Sequence, residues 1–241
     1  MRRLFPSIIA LLMVAGTLSA QTTDNKSTET TKKNREPVGV NLSLWKNMST
    51  QQTDTVGSTC FNLGLFSSMN RLNGVGINLL GSVVYRDMNG VQVTGLANLV
   101  GGSMRGVQIA GISNVNGDNL CGVSLSGLVG ITGNHAQGVI FSGLTNIVGD
   151  NASGVLIGGL LNIAGLANIS GEDFIGITAS GLLNIVGENL RGVQISGLGN
   201  ITGENMQGLQ ISGLGNVVGE HFTGAQVAPF NFAGKGKGVQ I

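Results

Sequence analysis

GVQISGLGNITGENMQ, residues 192–207, runs without a break into GLQISGLGNVVGEHFT, residues 208–223. The two phrases match slot for slot. The same phrase opens at Gly90, Gly106, Gly122, Gly138, Gly154, Gly176, Gly192 and Gly208, with degenerate copies from about Ser58 and Gly74 and an irregular one from Gly224. A unit this short cannot bury its own apolar face, so neighbouring copies must complete one another's core in a stack.

Numbering a copy from slot 1 to slot 16, glycine holds slots 1, 6 and 12, as Gly192, Gly197 and Gly203 show. Aliphatic residues fill slots 2, 4, 7 and 10, and usually slot 15, as do Val193, Ile195, Leu198, Ile201 and Met206. Their spacing is not helical, and so much glycine would cost a helix about 1 kcal/mol per residue. It is not one unbroken strand either, because odd gaps reverse the face on which a side chain stands. Short strands with glycine corners fit both facts.

The expected fold is therefore an all-β solenoid of about ten coils, with the aliphatic slots pointing inward and coils spaced by ~4.8 Å. An antiparallel meander or outer-membrane β-barrel is the competing reading, with Gly-Asp-Asn and Gly-Glu-Asn as hairpin turns. Against it, the alternation breaks phase at the slot 6 glycine of each copy. The interval from Gly154 to Gly176 is longer than the others and holds a doubled hexad, LLNIAG then LANISG, so an offset is expected near residues 160–171.

The 241-residue chain carries a formal charge of +1, 10% charged residues, 4% aromatics and 41 glycines. Such low charge with abundant Val, Ile and Leu argues against disorder, and glycine without a triplet period excludes collagen. No basic block accompanies aromatics, which makes nucleic acid an unexpected partner. Met1-Arg2-Arg3, the apolar run 8–18 and Leu18-Ser19-Ala20 read as a cleaved export signal covering residues 1–20. Residues 21–37 read as a polar tether, residues 38–57 as a strand and loop able to cap the stack, and residues 58–241 as the repeat domain, irregular from 229 to 241.

Chemistry is hard to place on this pattern. Cys60 and Cys121 fall in different copies, too many layers apart for a bridge within the chain, so free thiols or an intermolecular bond are expected. His135 and His221 both occupy slot 14, where other copies carry turn residues such as Asn. The acids that recur at slot 13 suggest calcium, but Gly102 and Asn134 interrupt them, so a solvated turn is the better expectation. Gly74 to Gly81 lacks the Lys and Ser or Thr of a phosphate loop. No catalytic residue, metal or cofactor is expected.

Slot 9 is asparagine in most copies: Asn98, Asn114, Asn146, Asn162, Asn184, Asn200 and Asn216. Stacked amides that hydrogen-bond one another explain it. Slot 3 supplies the candidate interaction face, an outward row of Gln92, Gln108, Gln194, Gln210 and Gln226. A protein or glycan at a surface would be its partner.

Taken together, the GVQI-S-G-L-x-N-I phrases over residues 38–241 resemble bacterial exported surface-repeat proteins built of Gly-Val-Gln-Ile and Gly-Leu-x-Asn-Ile units. The resemblance implies a cell-surface or envelope location and brings no activity, cofactor or catalytic residue. The function expected is a non-enzymatic adhesion, interaction or spacer module, with an outer-membrane barrel as the alternative and an enzyme with a solenoid groove as a third, less favoured reading. Membrane association is expected only for the barrel, and self-association through the solenoid edges for the stack.

Overall fold

The computed structural model describes residues 39–45, 48–49, 58–158 and 167–241. The leader (1–20) and tether (21–37) lie outside the described residues. All described strands, β1 to β21 in chain order, belong to one compact unit, Glu36–Ile241. The chain is a β-solenoid of about 11 turns.

Each regular copy makes one coil, a long strand over slots 15 to 5 and a short one over slots 8 to 11. After Gly187 these are β17 (Leu190–Ser196) and β18 (Gly199–Thr202). β17 pairs in parallel with β15 (Phe174–Ser180) and β19 (Asn205–Ser212), setting Gly192 beside Gly176 and Gly208. β18 lies likewise between β16 (Leu183–Val186) and β20 (Gly215–Val227). Equivalent slots thus stack into columns. Among the described pairings only β1 (Val40–Trp45) with β2 (Met48–Ser49) is antiparallel, which removes the meander and barrel readings.

Glycine is required for two different reasons. At slot 1 the backbone takes φ between 122° and 148° in every copy from Gly74 to Gly224, a region that L side chains rarely adopt. At slots 6 and 12 the layers are simply too close. A Cβ at Gly197 would stand 1.9 Å from the Gly181 carbonyl oxygen, and one at Gly203 2.0 Å from that of Gly187.

The facing of the other slots overturns the expectation. Slot 15 does point inward, where Leu72, Met88, Met104, Phe174, Leu190 and Met206 are buried, and slot 11 joins it with Val84, Val100, Val148, Val186 and Val218. Slots 2, 4, 7 and 10, however, face outward: Ile195 is 42% exposed, Leu198 45% and Ile201 38%. In their place the interior takes the polar slots 3, 5 and 9. The core is an apolar seam of slots 11 and 15 beside the acidic turn, backed by amides and hydroxyls toward the opposite corner.

Sizes at slots 3 and 15 offset each other in some coils: where slot 3 is aliphatic, slot 15 of the same strand is small, as in Ala136 with Ile140 and Ala152 with Leu156, and where slot 3 is Thr178, slot 15 is Phe174. Other coils differ, with Leu120 beside Ser124 and Phe222 beside Gln226.

The offset is localised. β13 (Ala152–Gly158) and β14 (Ala167–Ser170) pair slot for slot with their neighbours on both sides, so the long interval of 22 residues (176 minus 154) is absorbed between Gly158 and Ala167. Residues 159–166 lie outside the described residues. The register assigns slot 9 of this copy to Asn168, beside Asn146 and Asn184, and not to Asn162 as the sequence suggested.

The two ends differ. β1 runs parallel to β3 (Ser58–Met69) along one edge, and β2 turns back against its other edge at Ser43 and Trp45. A partial cap therefore covers the N-terminal coil. At the other end, among the described residues, β21 (Phe230–Gln240) pairs only with β20 and its outer edge has no strand partner, and Phe230 and Phe232 are 70% and 64% exposed.

Candidate interaction surface

The proposed slot 3 face is inside the molecule. Gln92, Gln108, Gln194, Gln210 and Gln226 are each 0% exposed, so they cannot meet a surface partner in the folded chain. Their amides bond along the axis instead: Gln210 Nε2 donates to Gln194 Oε1 at 2.7 Å and Gln226 Nε2 to Gln210 Oε1 at 2.8 Å. Such bonds spare the buried amides the cost of lost water contacts.

The asparagine column is a second ladder. Asn184 Nδ2 donates to Asn200 Oδ1, and Asn200 Nδ2 to Asn216 Oδ1, both at 2.9 Å. The same Nδ2 groups also donate to slot 4 carbonyls of the next coil, Asn184 to Ile195 O and Asn200 to Ile211 O, both at 2.8 Å. Asparagine thereby ties the short arm to the long one across the corner. Donors in this ladder point toward the C-terminus; those in the glutamine ladder point toward the N-terminus.

The surface that replaces the glutamine face is aliphatic. Slots 2 and 4 cover the long arm, slot 10 the short arm, and slot 7 the corner between them, where Leu96, Ile112, Leu128, Leu198 and Leu214 are 39–52% exposed. Over ~11 coils at ~4.8 Å, with seven residues of contour at ~3.3 Å from slot 4 to slot 10, this band is on the order of 1,200 Å². Soluble monomers rarely leave more than a few hundred Å² of contiguous apolar surface uncovered.

Charge is confined to the opposite corner. Every Asp, Glu, Lys and Arg from Arg71 to Lys237 falls at slot 13, 14 or 16. Asp150, Glu172, Glu188, Glu204 and Glu220 follow one another in slot 13 of successive coils, and at ~4.8 Å spacing their carboxylates repel unless solvated. Beside them slot 14 forms an outer ladder, with Asn189 Nδ2 on Asp173 Oδ1 at 2.8 Å, Asn205 Nδ2 on Asn189 Oδ1 at 2.7 Å, and His221 Nδ1 against Asn205 Oδ1 at 3.2 Å. His221 thus takes part in the row as an asparagine would. A groove of about 590 Å³ runs here between the slot 14 row and the slot 16 row of Arg191, Gln207 and Thr223.

Among the described residues no group of three His, Cys, Asp or Glu is placed to hold a metal ion. Cys60 and Cys121 are free and exposed. No helix of the described residues is long and apolar enough to cross a membrane.

Comparison with protein-family models, curated proteins and solved structures finds no match to this chain. The surface alone therefore carries the functional argument. Sequence reasoning missed the aliphatic band because it sent those slots to the core. One signal was present in the phrase: slots 3, 5, 9, 11 and 15 are separated by 2, 4, 2, 4 and 4 residues, all even, so a single strand face persists through both corners.

Proposed function

We propose that the chain is a non-enzymatic exported protein of the cell surface or envelope that acts as an interaction, adhesion or spacer module. The observation that carries this reading is the repetition of the outward side chains. Each coil presents nearly the same aliphatic band and polar turn as the coil before it, so contact energy accrues along the axis. A catalytic centre needs the reverse, a constellation of distinct groups converging on one point. The leader pattern at residues 1–20 and the resemblance to bacterial surface-repeat proteins support the exported location.

The test is an epitope inserted in the charged turn between Glu204 and Asn205, followed by antibody labelling and protease shaving of intact cells. Labelling of intact cells that disappears on shaving is expected. Recovery of the whole signal in the cytoplasm with residues 1–20 still attached would overturn the proposal.

A further inference from the structure

We infer that the slot 7 corner and its flanking arms insert into one leaflet of a lipid bilayer, with the slot 13 to 16 edge left in water. This deepens the envelope reading above by naming what the aliphatic band meets.

Shape decides between possible occupants. A second copy, or any rigid partner with a flat face, covers one arm of the coil. Here both arms and the corner joining them are aliphatic: Ile77 and Ile195 on the long arm, Leu99 and Ile201 on the short arm, Leu128 and Leu198 between. A fluid hydrocarbon phase can wrap a convex ridge on both sides.

Charge agrees with shape. Slots 2 to 11 carry no ionised side chain in any copy from Gly74 to Ala233, while the acids, the arginines and the C-terminal lysines line the opposite edge. An edge charged along the whole axis forbids passage lengthwise through the membrane, so the axis lies in the membrane plane. Depth also fits. The short arm of four residues, β18 for example, spans ~13 Å, close to the ~15 Å hydrocarbon depth of a single leaflet.

The backbone tolerates such a solvent. Between the end coils every strand has a parallel neighbour on each side, so the inserted peptide groups carry their hydrogen bonds with them. Asn184 and Asn200 inside are laddered and tied to backbone carbonyls. Polar side chains inside with aliphatic ones outside is the arrangement that lipid selects and water does not.

The experiment uses the full chain with phosphatidylcholine vesicles, floated on a density gradient at low and high salt. Wild type should float in both, and Leu128→Asp, Leu198→Asp and Leu214→Asp together should lower partitioning by ~100-fold or more while the β circular dichroism is kept. Equal flotation of the triple variant would overturn the inference, since binding would then come from elsewhere, residues 8–18 included. Solubility of wild type without vesicles as a protein that never floats would also overturn it. A sedimenting assembly that ignores vesicles but is dispersed by the triple variant would make a second copy the occupant.

A positional readout completes it. In a Trp45→Phe background, Leu198→Trp should shift to the blue on adding vesicles and be quenched by brominated acyl chains, while Glu204→Trp should do neither. Equal quenching at both positions would overturn the stated orientation. None of these readouts depends on where a cell places the protein, so failure here and failure of the export proposal are distinguishable.

Discussion

At the scale of single residues, what matters is whether a buried polar group finds a partner in the next layer. Gln210 does, on both sides. Gln210→Lys would break two ladder bonds and place a charge where exposure is 0%, and a cost of about 3–5 kcal/mol is expected, read as a large fall in the urea midpoint. A variant as stable as wild type would return the glutamines to the surface. Asn116 is the opposite case. It occupies slot 11 in the apolar seam, is 1% exposed, and neither its Oδ1 nor its Nδ2 has a hydrogen-bond partner, whereas Val100 and Val148 hold the same column nearby. Asn116→Val should raise stability by about 1–3 kcal/mol with an unchanged denaturant slope. A lower midpoint would show that the amide is satisfied in solution.

At the scale of the coil, register is stricter than length. The pairing of β13 and β14 with their neighbours requires two residues between Gly158 and Ala167 at the spacing of the other coils, and taking out the first hexad, residues 160–165, restores that spacing. Deleting residues 160–165 should therefore leave the melting temperature within a few degrees of wild type, whereas removing three residues from within β17 should unfold the chain, because an odd shift turns every later side chain to the other face. The sequence announced the interval and its doubled hexad but could not say which hexad stayed in register, since both begin with Leu and place Asn third. The glycine columns were legible for a plain reason. A requirement for no side chain leaves only one residue type able to satisfy it, as at Gly192 and Gly203. The facing of Val193 and Gln194 was not legible from hydrophobicity, because that argument assumes water outside and oil inside; parity of spacing makes no such assumption.

At the scale of the whole molecule, the two ends govern association. β2 covers part of the N-terminal edge, while β21 presents an open edge guarded by Lys235 and Lys237. Edge lysines discourage added strands, so Lys235→Val with Lys237→Val should promote end-to-end growth visible by light scattering and cross-β dye binding. No growth at concentrations where wild type is also monodisperse would show that the edge is blocked by other means. Over the coils from Gly192 to Gly224 the asparagine amides point one way along the axis and the glutamine amides the other, so the dipoles of these two inner ladders oppose each other, while the outer slot 14 amides point with the glutamines. Because each regular coil offers its neighbours the same glycine columns and slot register, copy number is free to change by whole coils, as unequal recombination between similar phrases would change it.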